Sequence, residues 1–295
     1  MSKKPSRIKA FQSATGPVSI RMNNDYLFKA LMQENKRVLR AFIADLLHVS
    51  HGDIKNLEIV NPIKLGERID DKVIILDVLV TFHDGTIMNL EMQVINEHNW
   101  VPRSVYYVCR NCSSLREGQP YTDIHRTYQI GLLNFTLFPD HAKFYATYEL
   151  SDIADHYAYT DLISIRVIDL SRIDLATKED KEYNIDKWAS LFRATTWEEI
   201  KMLAQKNQDI SGAAYTVYRL SQDERIRQEC EAREDFIRRQ IGIERERRKD
   251  KRDLAKARKL LADQKILINE KDSLLAEKDA LIASLQAQIE RLPKD

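Results

Sequence analysis

The chain has 295 residues, with 46 Lys and Arg against 45 Asp and Glu and a formal net charge of +1. That balance excludes nucleic-acid binding driven by whole-molecule charge, so any basic surface must be local. Three cysteines argue against a disulfide framework, no apolar h-region follows the basic N-terminus, and no apolar run reaches the roughly 18 residues of a bilayer span. A soluble, cytoplasmic protein is expected, with one medium domain plus an appendage, or two domains.

Residues 1–19 are polar and lack periodicity, which predicts a flexible arm. Asn23 or Asn24 can cap a helix whose stripe is Leu27, Phe28, Leu31 and Met32, with Asp25 in its first turn and Lys29 as a surface lysine. Val38, Leu39, Phe42, Ile43, Leu46 and Leu47 mark a second helix, and Leu57 to Pro62 a strand closed by proline. A third helix starts near Pro102 and aligns Arg103, Tyr107 and Arg110 on one face. Further strands are expected over residues 127–138, 144–148 and 162–170, closing a mixed α/β core over residues 20–173. Short helices follow over 174–221. A densely charged stretch at 222–252 is either a solvated helix or a flexible connector. From 253 to 292 the heptad series Leu254, Leu261, Ile268, Leu275, Ile282 and Ile289 predicts a coiled coil and self-association. Gln264, Lys271 and Lys278 interrupt the seam and leave strand number open.

The chemistry concentrates in residues 72–94, where two apolar arms flank His83-Asp84-Gly85 and predict a β-hairpin. A three-residue loop with Gly85 in the left-handed conformation pairs Phe82 with Thr86, Val80 with Met88, Val78 with Leu90 and Leu76 with Met92. That face is almost wholly apolar. The other face sets Asp77 opposite Glu91, with Asn89 and Gln93 two residues to either side. Two carboxylates about 5 Å apart by cross-strand geometry call for a cation between them, typically a divalent metal. The bland alternative is a solvated hairpin face. Asp25 reads as an N-terminal acid favoured by the helix dipole more readily than as a ligand, and Arg103, Tyr107 and Arg110 could simply pack and pair. Cys109 and Cys112 have no second pair to make a zinc site.

An Asp on one strand and Glu-x-Gln on the next, behind two helices and a strand, resembles the PD-(D/E)xK nuclease superfamily. The ordered series Asn24-Asp25-Tyr-Leu-Phe28-Lys29, Leu76-Asp77-Val78, Asn89-Leu-Glu91-Met-Gln93, Arg103-Ser-Val-Tyr-Tyr107, Gly118-Gln-Pro-Tyr121 and Gln129 to Phe135 is similar to the Rpn family of recombination-promoting nucleases and transposase-like proteins. The resemblance implies a restriction-endonuclease-like α/β core and a Mg2+-dependent DNA endonuclease. Asp77 and Glu91 would hold the metal, Gln93 would take the position more often filled by Lys, and Asp25 could add a carboxylate. Arg103, Tyr107, Arg110 and Lys29 would contact DNA. Gln93 cannot supply the charge a Lys gives, so the different-class alternative is a catalytically weak scaffold binding DNA or protein.

Overall fold

The computed structural model describes residues 7–54, 56–60, 77–113, 115 and 117–290. The expected Leu76–Met92 pair and the close of the first strand at Pro62 lie outside them. Two compact units are present, one running to Ile237 and one from Arg238.

In the first unit, after α1 (Arg7–Ser13), the helices α2 (Asp25–Glu34) and α3 (Lys36–Leu47) are punctuated by asparagines. Asn24 accepts from Leu27 N at 3.1 Å, and Asn35 ends α2 while accepting from Val38 N at 3.2 Å to start α3. A side-chain oxygen satisfies an amide that the first helical turn leaves unpaired. The strands β1 (Leu57–Ile59), β2 (Val78–Phe82) and β3 (Ile87–Gln93) follow, then α4 (Trp100–Cys112) and β4 (Thr127–Leu133). The hairpin β5 (Tyr145–Ser151) and β6 (Ala158–Asp169) completes a six-stranded sheet of order β1-β2-β3-β4-β6-β5. The pairs β3–β4 and β4–β6 are parallel and the rest antiparallel. The helices α5 (Lys178–Glu182), α6 (Ile185–Arg193), α7 (Trp197–Ala204) and α8 (Gln208–Ser221) come next, and α9 runs from Glu224 to Glu290.

The hairpin adopts the register that the patterning demands. Val78 pairs Leu90 and Val80 pairs Met88, Phe82 N donates to Thr86 O at 2.9 Å, and Gly85 sits at φ +84°. A Cβ has little steric freedom at that φ, so glycine takes the position. β4 stops at Leu133, short of the expected Phe138, because Phe135 and Leu137 turn to pack on a small cluster of Trp100, Leu133 and Val167. The charged stretch after residue 222 is continuous helix from Glu224 onward.

Alternation along β3 divides the sheet into two environments. Met88, Leu90 and Met92 enter the main core with Ile130, Leu132 and Ile168, where Phe28, Phe42, Trp188 and Phe192 interlock with ring centroids 5.1 to 6.3 Å apart. Ile226 and Cys230 of α9 belong to the same core. Asn89, Glu91 and Gln93 face the opposite way, toward α4. Glu91 is in register with Gly131 of β4, and Trp100 of α4 occupies the space a side chain there would need. A Cβ on Gly131 would stand 2.2 Å from the Trp100 ring. Gly131→Ala is therefore expected to lose about 1–3 kcal/mol of stability in urea denaturation, because α4 must lift off the sheet. A wild-type midpoint would show that α4 is not seated on β4.

In the second unit the distal part of α9 carries its apolar residues outward: Leu254, Leu261, Ile268 and Leu275 are each more than half exposed. Among the described residues, no helix is long and apolar enough to cross a membrane.

Candidate active site

Asp77 immediately precedes β2, and the Val78–Leu90 register extended by one residue sets it against Glu91. Both carboxylates are 6 % exposed, so the solvated-face alternative does not hold. They line a cleft with Asp25, Gln93, Glu97, Arg103 and Arg233. Asn89, on the same face of β3, is fully buried and donates through Nδ2 to Gln129 Oε1 at 3.0 Å.

Burial sets the electrostatics, because removing a carboxylate from water penalises its charged form. Glu91 is pushed up to about 7, chiefly by burial, with the Arg103 charge opposing and the Asp77 charge adding to the rise. Asp77 is raised by burial, against the charge of Lys29 and a hydrogen bond from Asn89. Arg103 Nη2 lies 2.8 Å from Glu91 Oε1. Among the described residues the other oxygen, Glu91 Oε2, is buried without a hydrogen-bond partner, and so is Gln93 Oε1. With Asn89 Oδ1 they make three unpaired acceptors on one face of one strand, a place open to a donor or a cation.

The flanking helices complete the cleft. The Arg103 guanidinium lies 5.5 Å from the Tyr107 ring centroid and that of Arg110 lies 4.6 Å from the same ring, so the three form one cation–aromatic stack. The Arg110 charge also acts on Asp77. Asp25 is 4 % exposed and its carboxylate pairs with Arg233. Lys29 departs from the surface position expected of it. It is 4 % exposed, its pKa is lowered by burial, and its charge acts on Asp77; a side chain so deep cannot reach a duplex. Among the described residues, no three His, Cys, Asp or Glu side chains converge as a metal-ligand cluster.

Arg233, Phe236 and Ile237, which also line the cleft, lie in the stretch where the sequence suggested only a solvated helix or connector. A signal was present. Ile226, Cys230, Arg233 and Ile237 follow the spacing of a buried helical stripe, and an arginine on such a stripe points to a carboxylate partner.

A family model described as PD-(D/E)XK nuclease family transposase matches residues 22–245. Neither the curated proteins nor the solved structures yielded a match. The matched span takes in the whole sheet, the flanking helices and the start of α9. The chain thus belongs to the PD-(D/E)XK nuclease family transposases.

Proposed function

We propose that the cleft is the active site of a divalent-metal-dependent DNA endonuclease of the recombination-promoting kind, with Asp77 and Glu91 as metal ligands and Mg2+ as the ion. The observation that carries this reading is the pair of buried, unpartnered oxygens, Glu91 Oε2 and Gln93 Oε1, in the cleft that Asp77 also lines. Carboxylate and carboxamide oxygens fit a hard divalent cation. Such an ion, when bound, lowers the pKa of a water and neutralises charge on the scissile phosphate. The chain's own groups do the rest. Glu91 and Asp77 would hold the cation, Gln93 would position the attacking water by hydrogen bonding, and the Arg103–Tyr107–Arg110 stack would receive the phosphate backbone. Lys29 acts through Asp77 by favouring its charged form.

Incubation with supercoiled plasmid tests the reading. Nicking is expected with Mg2+ and not with chelator, and Asp77→Ala is expected to abolish it. Gln93→Lys should retain activity, while Gln93→Ala should lose about a hundredfold or more. Cleavage by Gln93→Ala at the wild-type rate would remove that residue from the chemistry. The charge pair between Arg103 and Glu91, together with a neutral Gln93, favours one alternative: a nuclease fold that binds DNA or protein with little cleavage. Plasmid binding without nicking under any divalent ion would establish that alternative.

The reading extends to organisation. The nuclease core spans 20–173, with a helical extension at 174–221, a charged helical connector at 222–252 and a coiled coil at 253–292 through which two copies pair. Within the stretch 1–19, α1 departs from the flexible arm expected there, because it packs Phe11 into the core against Trp197 and Tyr218. The free state of Cys109, Cys112 and Cys230 suits a cytoplasmic enzyme.

A further inference from the structure

Arg233 reaches from the first turns of α9 onto Asp25. Its Nε lies 2.9 and 2.7 Å from the two carboxylate oxygens, and its Nη2 lies 2.6 Å from Oδ2. The guanidinium is held in turn against the Phe236 ring, 4.7 Å from the centroid. The two helices are tied beside it as well, since the Asn24 side chain donates through Nδ2 to Cys230 O at 3.0 Å. These contacts fix Arg233 at the N-terminal end of α2, where Asp25 lines the cleft beside Asp77 and Glu91.

The two arginine–carboxylate pairs of the cleft differ in one respect. Arg103 engages one oxygen of Glu91 and leaves Oε2 unpartnered, so Glu91 can meet a cation without giving up its arginine. Arg233 engages both oxygens of Asp25. Asp25 would have to surrender its counter-ion to become a ligand, and breaking the pair of a buried carboxylate with a partly buried guanidinium opposes that exchange. We propose that Arg233 is a positioning residue that holds Asp25 out of the ligand set, so that the cleft offers a cation two carboxylates instead of three. This rests on the reading of the cleft as a metal site.

Calorimetric titration of the full chain with MgCl2, without DNA, tests it. Removing the counter-ion leaves three carboxylates facing one cleft, so Arg233→Gln should bind Mg2+ about tenfold more tightly or take up a second equivalent. Asp25→Asn combined with Arg233→Gln should return to wild-type binding, and Arg233→Lys, which keeps the charge, should stay close to it. Should Arg233→Gln fail to fold, the charge-neutral double variant Asp25→Asn with Arg233→Gln decides: it should bind Mg2+ as the wild type does. Unchanged affinity and stoichiometry in folded Arg233→Gln, or weakened binding in the double variant, overturns the inference while leaving the metal site standing. A wild-type protein that binds no Mg2+ overturns both.

Discussion

Glu91→Gln is expected to weaken Mg2+ binding by about a hundredfold or more and to end metal-dependent nicking, because it removes one of the two charged donors of the site. The same substitution should change the metal-free protein in a second, independent way. The carboxyl of Glu91 is pushed up to about 7 in the folded chain from 4.5. Between those values the folded state keeps a proton that the unfolded state has lost, so this group makes stability fall as pH rises through the window. Below 4.5 both states are protonated and the penalty is absent; above 7 it is complete, at most on the order of 3 kcal/mol. Glutamine has no such penalty. Urea denaturation at pH 5 and pH 8 should show a smaller pH difference for the variant than for the wild type. Wild-type Mg2+ affinity in Glu91→Gln would sink the site, whatever the denaturation shows.

A chain ending at Ile237 is expected to be monomeric by light scattering, and the full chain is expected to be a dimer. It should nick plasmid without linearising it. A single site of this kind cuts one strand, and a double-strand break needs two sites brought together. The exposed leucines and isoleucines of distal α9 would leave a long apolar stripe in water, and pairing of two copies buries it. The end point matters. Ile226 and Cys230 are buried in the core, and Arg233 and Ile237 line the cleft, so a chain stopped at Leu220 would lose part of both. That shorter chain should melt well below the one ending at Ile237. A full-length protein that is monomeric at micromolar concentration would remove the coiled-coil assignment and this account of double-strand cutting with it.

The hairpin was legible because its information is local. Strict alternation, one glycine and a short loop allow few registers, and a slip by one residue would have buried Asn89 and Glu91 among methionines. The asparagine caps were legible for the same reason. What escaped was long-range. Lys29 sits on an ordinary amphipathic helix, and nothing local to that helix marks the position as interior or brings Asp77 near it. Gly131 looked like an unremarkable residue in an apolar run, because its neighbour Trp100 lies across a helix–sheet contact with no sequence mark. Arg233 was obscured by composition. The dense alternation of charges around it suggested solvent, although Ile226, Cys230 and Ile237 already marked a stripe.

The strand that carries Asn89, Glu91 and Gln93 is bonded to β4 in parallel fashion along its whole length and to β2 in antiparallel fashion over Ile87–Leu90. Its backbone amides should therefore be among the last in the chain to exchange with deuterated solvent, opening only when the whole unit opens. A strand so restrained has no low-energy way to adjust to a bent or unwound substrate. Any accommodation at the cleft must come from its helical walls, α2, α4 and the beginning of α9, which hold it by side chains and not by ladder bonds. Deuterium uptake should then be slow and unchanged by DNA across Met88–Met92, with the DNA-dependent protection falling on the first turns of α4 and on Arg233 to Ile237.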